Sequence, residues 1–147
     1  MRIGELAAAT ATPVETIRYY ERVGLLPAAQ RADNNYRVYS AAHAERLAFI
    51  RQCRSLDMAL DEVRSLIELR DAPTPDCGAV NALLDAHIGH VARRIGELRA
   101  LERELTALRA RCRSPRAIAD CGILNEIDHA AARGTPAAPR RHIRGTH

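Results

Sequence analysis

Along this chain, apolar positions recur at helical spacing, and short polar or proline-bearing breaks divide them into separate elements. Ile3 to Ala9 reads as a short apolar helix. Thr12-Pro13-Val14-Glu15 then supplies a helix start, with Thr as N-cap, Pro at the first helical position and Glu three residues after the cap, so a second helix runs from Pro13 to about Val23. After Gly24-Leu25-Leu26-Pro27, the segment Gln30 to Tyr39 carries Asp33-Asn34-Asn35, a tight turn entering the short alternating strand Tyr36-Arg37-Val38-Tyr39. Ser40 caps a third helix to about Arg54. A fourth, from about Leu60 to Arg70, has Val63, Leu66, Ile67 and Leu69 on its apolar side. Two short helices followed by a turn and strand outline a winged helix-turn-helix.

The pattern changes after the breaker-rich hinge Ala72-Pro73-Thr74-Pro75-Asp76-Cys77-Gly78. From Val80 to Cys112 the positions Leu84, Ile88, Val91, Ile95, Leu98, Leu101, Leu105 and Leu108 follow the steps of a coiled-coil seam. A lone helix of this length exposes its whole stripe to water, so a partner helix is required. Gly89 and Gly96 each cost about 1 kcal/mol in a helix interior and share one face, where they admit a close backbone approach or are simply tolerated. Ser114-Pro115 ends the helix, Arg116 to Asp120 form a loop, and a last short helix runs from Gly122 to about Ala131. The expected fold is mainly α: a winged helix-turn-helix domain at 1–72, a hinge at 73–79, a dimerisation helix at 80–112 pairing antiparallel with its copy, a loop and short helix at 112–131, and a disordered basic tail at 132–147.

Composition sharpens this outline. The chain has 147 residues, 47% hydrophobic and 3% aromatic, with no Trp, a profile of helices packed through aliphatic side chains. No apolar run approaches a membrane span and the amino terminus lacks the apolar core of a signal peptide, so a cytoplasmic place with reduced thiols is expected. The net charge of +4 is carried by Arg133, Arg140, Arg141 and Arg144 of the tail. In the remainder, positive charge is local: Arg18, Arg22, Arg31, Arg37, Arg46, Arg51 and Arg54 face only Glu21, Asp33 and Glu45 between residues 16 and 54. Arg18, Tyr19, Tyr20, Arg22, Arg37 and Tyr39 combine guanidinium groups for phosphate and guanine with hydroxyls and ring edges for the sugar–phosphate backbone, although one of the adjacent tyrosines is expected to fill the small core.

Three of the four cysteines carry the other chemistry. Cys77 precedes the long helix, and Cys112 and Cys121 stand at and beyond its far end. At about 1.5 Å per residue, Cys77 and Cys112 lie roughly 50 Å apart. One chain cannot close a three-thiolate site, but two antiparallel copies bring Cys77 of one to Cys112 and Cys121 of the other. The loop offers no His, so the sulfur set leans toward Cd(II), Pb(II) or Hg(II) over Zn(II). A reversible Cys112–Cys121 disulfide is the alternative. Cys53, on an apolar helix face, reads as a small buried hydrophobe. His87 and His90, one turn apart, are either a second chelating pair, helped by His142 or His147, or ordinary solvated or packed side chains.

Val14-Glu15-Thr16-Ile17-Arg18-Tyr19-Tyr20-Glu21, Gly24-Leu25-Leu26-Pro27 and Tyr36-Arg37-Val38-Tyr39 resemble the winged helix-turn-helix of MerR-type transcriptional regulators. Asp57-Met58, Cys77-Gly78, Val80-Asn81-Ala82-Leu83, His87-Ile88 and Cys121-Gly122-Ile123-Leu124 resemble its cadmium- and lead-responsive CadR/PbrR type. The resemblance implies a homodimer on a palindromic operator, activating a metal-resistance promoter by distorting its DNA for RNA polymerase. It also implies DNA contacts from Thr16 and Tyr36 besides those above. Thr12 stands where some members carry Cys, Asn34 where relatives often have Gly, and Ala59 where Ser or Thr caps the fourth helix, a loss of about 1 kcal/mol. A thiol redox switch using Cys112 and Cys121, or a metal-buffering protein, are the readings from other classes. No paired carboxylates, phosphate-binding Gly loop or nucleophile with a base points to an enzyme.

Overall fold

Leu6 and Ile17, one from each of the first two helices, are fully buried and begin a cluster completed by Leu26, Tyr39 and Leu47. The computed structural model describes residues 1–73, 76–115 and 117–134. Thr74, Pro75, Arg116 and the tail from 135, with His142 and His147, lie outside the described residues. Helix α1 (Ile3–Thr10) ends at Ala11, whose φ of 48° is left-handed and whose N–H donates to the Ala7 carbonyl. Helix α2 (Val14–Arg22) starts from Pro13 without a side-chain cap. The Thr12 hydroxyl, expected to cap α2, donates instead to the Thr10 carbonyl at 3.1 Å, because the left-handed turn directs it back toward α1.

The wing is a pair of two-residue antiparallel strands, β1 (Gln30–Arg31) and β2 (Arg37–Val38), with Gln30 opposite Val38. Asn35, not Asn34, takes the left-handed conformation at the turn, with φ of 66°. The Asn34 side chain accepts the Tyr36 N–H instead, at 3.3 Å. Both fit the tolerance of Asn for such turns.

Helices α3 (Ala41–Ser55) and α4 (Leu60–Asp71) build a second cluster from Leu25, Ile50, Cys53, Met58, Val63 and Ile67. Cys53 is a packing residue here, as expected, and burial pushes its thiol pKa up. Adjacent Leu25 and Leu26 divide between the two clusters, so the turn after α2 pins α2 to both. At the start of α4, the absent hydroxyl of Ala59 is partly offset: its N–H donates to Oε1 of Glu62 at 3.0 Å.

Helix α5 runs from Gly78 to Arg109, 32 residues without interruption. By compactness the chain divides inside it, into Met1–Gly89 and a second unit from His90. The reason is packing: Leu84 rests on the second cluster and His87 is buried, so the first turns of α5 belong to the head. The second unit holds the rest of α5, a 3-10 turn at Ile118–Asp120 and α6 (Gly122–Ala132). Among the described residues it buries no hydrophobic side chain. No helix among those residues is long and apolar enough to cross a membrane.

Candidate nucleic-acid interface and metal centre

Ile17 faces the core, so the helical period turns Arg18, Tyr19 and Arg22 outward and leaves Thr16 half-buried. The Arg22 guanidinium lies 5.4 Å from the Tyr19 ring centroid. On the wing, Tyr36 and Arg37 are exposed, and the Arg2 guanidinium sits 4.6 Å above the Tyr36 ring. Arg2, Arg18, Tyr36 and Arg37 line a groove of about 330 Å³. Arg2 was not legible as part of this face, because it arrives there through a 38-residue closure in which the Met1 amino group donates to the Tyr39 carbonyl at 2.7 Å.

Two expected surface residues point inward. Tyr39 is 2% exposed, its ring edge-on to His43 and its hydroxyl bonded to the Glu21 carboxylate. It ties the wing to α2 and offers no surface to a backbone phosphate. Burial, and then the bond to Glu21, raise its pKa to about 12. Tyr20 is the tyrosine of the adjacent pair that packs against both core clusters. His43 is buried beside them. Its Nδ1 accepts the Ser40 N–H at 3.1 Å, so Nε2 carries the proton and donates to the Pro27 carbonyl at 3.1 Å. The signal was present in sequence: His43 stands three residues after the Ser40 cap, where a capping box places an acceptor.

The cysteines fall at helix ends. Cys77 is exposed directly before α5, its carbonyl accepting from Asn81 at 2.8 Å. Cys121 is the N-cap of α6. Each is followed by glycine. Cys112 lies three residues beyond α5, its Sγ 3.2 Å from the Ser114 carbonyl. A Cβ at Gly122 would meet the Arg111 carbonyl at 2.6 Å, so only glycine allows α6 to begin against that backbone. That contact closes the neck of the loop with Cys112 and Cys121 as the residues flanking it, and Arg111 reaches Glu126 of α6 at 3.7 Å. The donor set and the closed neck fit a thiophilic ion. Cys77, at the other end of α5, does not join them within one chain.

His87 faces Leu56 and Glu62. Nε2 donates to the Leu56 carbonyl at 2.8 Å, and Nδ1 lies 3.0 Å from Glu62 Oε2. A cation at His87 would therefore meet Nδ1 and Glu62, and His90, one turn further along α5, is exposed. The structure gives His87 a structural post that the bare i, i+3 spacing did not reveal.

The family model for MerR HTH family regulatory proteins matches residues 1–69, and that described as "MerR, DNA binding" matches residues 44–108. The chain is 47% identical over 109 residues to the ZntR homolog, an HTH-type transcriptional regulator of Haemophilus influenzae, which spans 74% of this chain and 81% of that protein. The chain belongs to the MerR family. Among solved structures, the transcription regulator PbrR691 from Ralstonia metallidurans CH34, determined with lead(II), is 54% identical, with a TM-score of 0.75 over 86% of this chain and 98% of that one. MerR from Bacillus megaterium MB1, determined with mercury(II), is 31% identical, with a TM-score of 0.67 over 87% and 99%.

Proposed function

We propose that this MerR-family chain is a metal-responsive transcriptional regulator that holds a soft divalent ion between two copies of itself, through Cys77 of one and Cys112 and Cys121 of the other. The observation that carries the reading is the unbroken α5. At about 1.5 Å per residue it separates Cys77 from Cys112 by well over 40 Å, while the Gly122–Arg111 contact brings together the two stretches of backbone that carry Cys112 and Cys121. Cd(II) or Pb(II) fits the sulfur-only donor set best, and the 54% identity to a protein solved with lead(II) supports that order; Hg(II) and Zn(II) rank behind. When bound, the ion supplies a bond between the start of α5 in one chain and the loop of its partner chain. Thr16, Arg18, Tyr19 and Arg22 of α2 would enter the major groove of a palindromic operator, with Arg37, Tyr36 and Arg2 on the flanking backbone. The dimer would act by deforming that DNA for RNA polymerase, a form of indirect readout in which the ion selects the deformation.

Titration of the reduced protein with Cd(II), followed through the thiolate-to-metal charge-transfer band beside Cys77→Ser, tests this. Removing a ligand is expected to weaken binding by at least about a hundredfold, since even outer-shell changes cost ten- to a hundredfold. Undiminished binding in Cys77→Ser would reduce the site to Cys112 and Cys121 and favour the redox switch.

A further inference from the structure

Helix α4 grips two elements with residues two positions apart. Glu62 stands against the base of α5, with Oε2 3.0 Å from Nδ1 of His87. Arg64 crosses to the end of α2, its Nη2 donating to the Val23 carbonyl at 2.5 Å. Val23 is the C-cap of α2, and its carbonyl stands at the negative end of that helix, where a guanidinium is favoured both by the dipole and by a charge-assisted hydrogen bond. The next residue, Gly24, has φ of +80°, and Arg64 Nη1 lies 3.5 Å from where its Cβ would be, so the guanidinium lies across the turn leaving α2. Leu25, which follows, sits in one cluster with Val63 and Ile67 of α4. The end of α2 is thus fastened to α4 by one polar and one apolar anchor.

We propose that Arg64 is a positioning residue for DNA recognition. It locks α2 to α4, and α4, through Glu62 and His87, passes the orientation of the α5 base to the groove-facing side chains. Arg64 touches neither DNA nor metal. Its role is to make α2, α4 and the first turns of α5 move as one piece. This rests on the reading of α2 as the groove helix and of the chain as a metal-responsive regulator.

The test uses the full chain and a duplex selected by the wild-type protein from a randomised pool, then synthesised with 2-aminopurine at its centre. Arg64→Ala is expected to bind Cd(II) with an unchanged charge-transfer band and to bind the duplex about tenfold more weakly, the factor for one charge-assisted hydrogen bond. At protein concentrations that saturate the duplex, the Cd(II)-induced 2-aminopurine change is expected to be lost in Arg64→Ala and restored in Arg64→Lys, which keeps a cationic donor. Should Arg64→Ala not fold, Arg64→Gln against Arg64→Lys gives the same contrast. Wild-type affinity in the neutral variant, or a full 2-aminopurine response at saturation, overturns the proposal while leaving α2 as the groove helix. A wild-type protein that selects no duplex overturns the groove-helix reading itself and the proposal with it. A wild-type protein that selects a duplex but shows no Cd(II)-induced change overturns the metal response and the coupling together, and leaves α2 in the groove.

Discussion

In the first unit Leu6, Ile17, Ile50 and Val63 are wholly inaccessible, whereas Ile95, Leu105, Leu124 and Ile127 of the second each leave at least 42% of their surface exposed. The residue types are alike; what differs is the supply of neighbours. Helices α1 to α4 cross one another and cover each other's apolar faces, while α5 beyond Gly89 presents Leu98, Leu101 and Leu105 along an open apolar groove of about 530 Å³. A Cβ at Gly96 would meet nothing within 4 Å, which leaves that side of α5 clear for an incoming backbone. The contrast teaches that periodicity fixes which face is apolar, and chain topology decides whether the chain itself can cover it.

The sharpest way to break this contrast is to damage each unit in kind. Leu101→Asp is expected to abolish dimerisation at micromolar concentration by sedimentation, because it places a charge in the seam, while the head keeps its cooperative melt. Leu47→Ala, in the head, should cost about 2–5 kcal/mol in chemical unfolding without changing the association state. Equal loss of dimer in both variants would show that the two units are not separable in this way. Gly122→Ala comes next: the added methyl collides with the Arg111 backbone, so the loop neck must open. Cd(II) affinity is expected to fall by about tenfold or more, as for a disturbed supporting shell, with duplex binding by the apoprotein unchanged.

The smallest effect belongs to Tyr39→Phe, which removes the hydroxyl bonded to Glu21 and should cost about 1 kcal/mol. The fold favours the neutral phenol, so its contribution is complete below the ordinary tyrosine pKa of about 10 and is lost as pH climbs through about 12. A tyrosinate absorbance step near pH 12 that disappears in Tyr39→Phe checks both the assignment and the sign.

Helix order and type were legible because the 3.6-residue pattern and the Ser40 and Pro13 signals are local. The surface was less so. Tyr36-Arg37-Val38-Tyr39 alternates cleanly, yet the strand supplies no rule for which tyrosine goes inside; that is settled by Glu21, 18 positions earlier, and by His43. Arg2 and Arg64 escaped notice for the same reason, since their partners Tyr36 and Val23 are distant in sequence. The separation of Cys77 from Cys112 was readable in advance because it depends on helix length alone.

That length has a genetic corollary. With Cys77 at one end of α5 and the Cys112–Cys121 loop past the other, each chain of the proposed dimer is donor at one site and acceptor at the second. An allele lacking Cys77 and an allele lacking Cys112, each inert alone, would restore one whole site when expressed together, and the locus would show intragenic complementation between two null mutations.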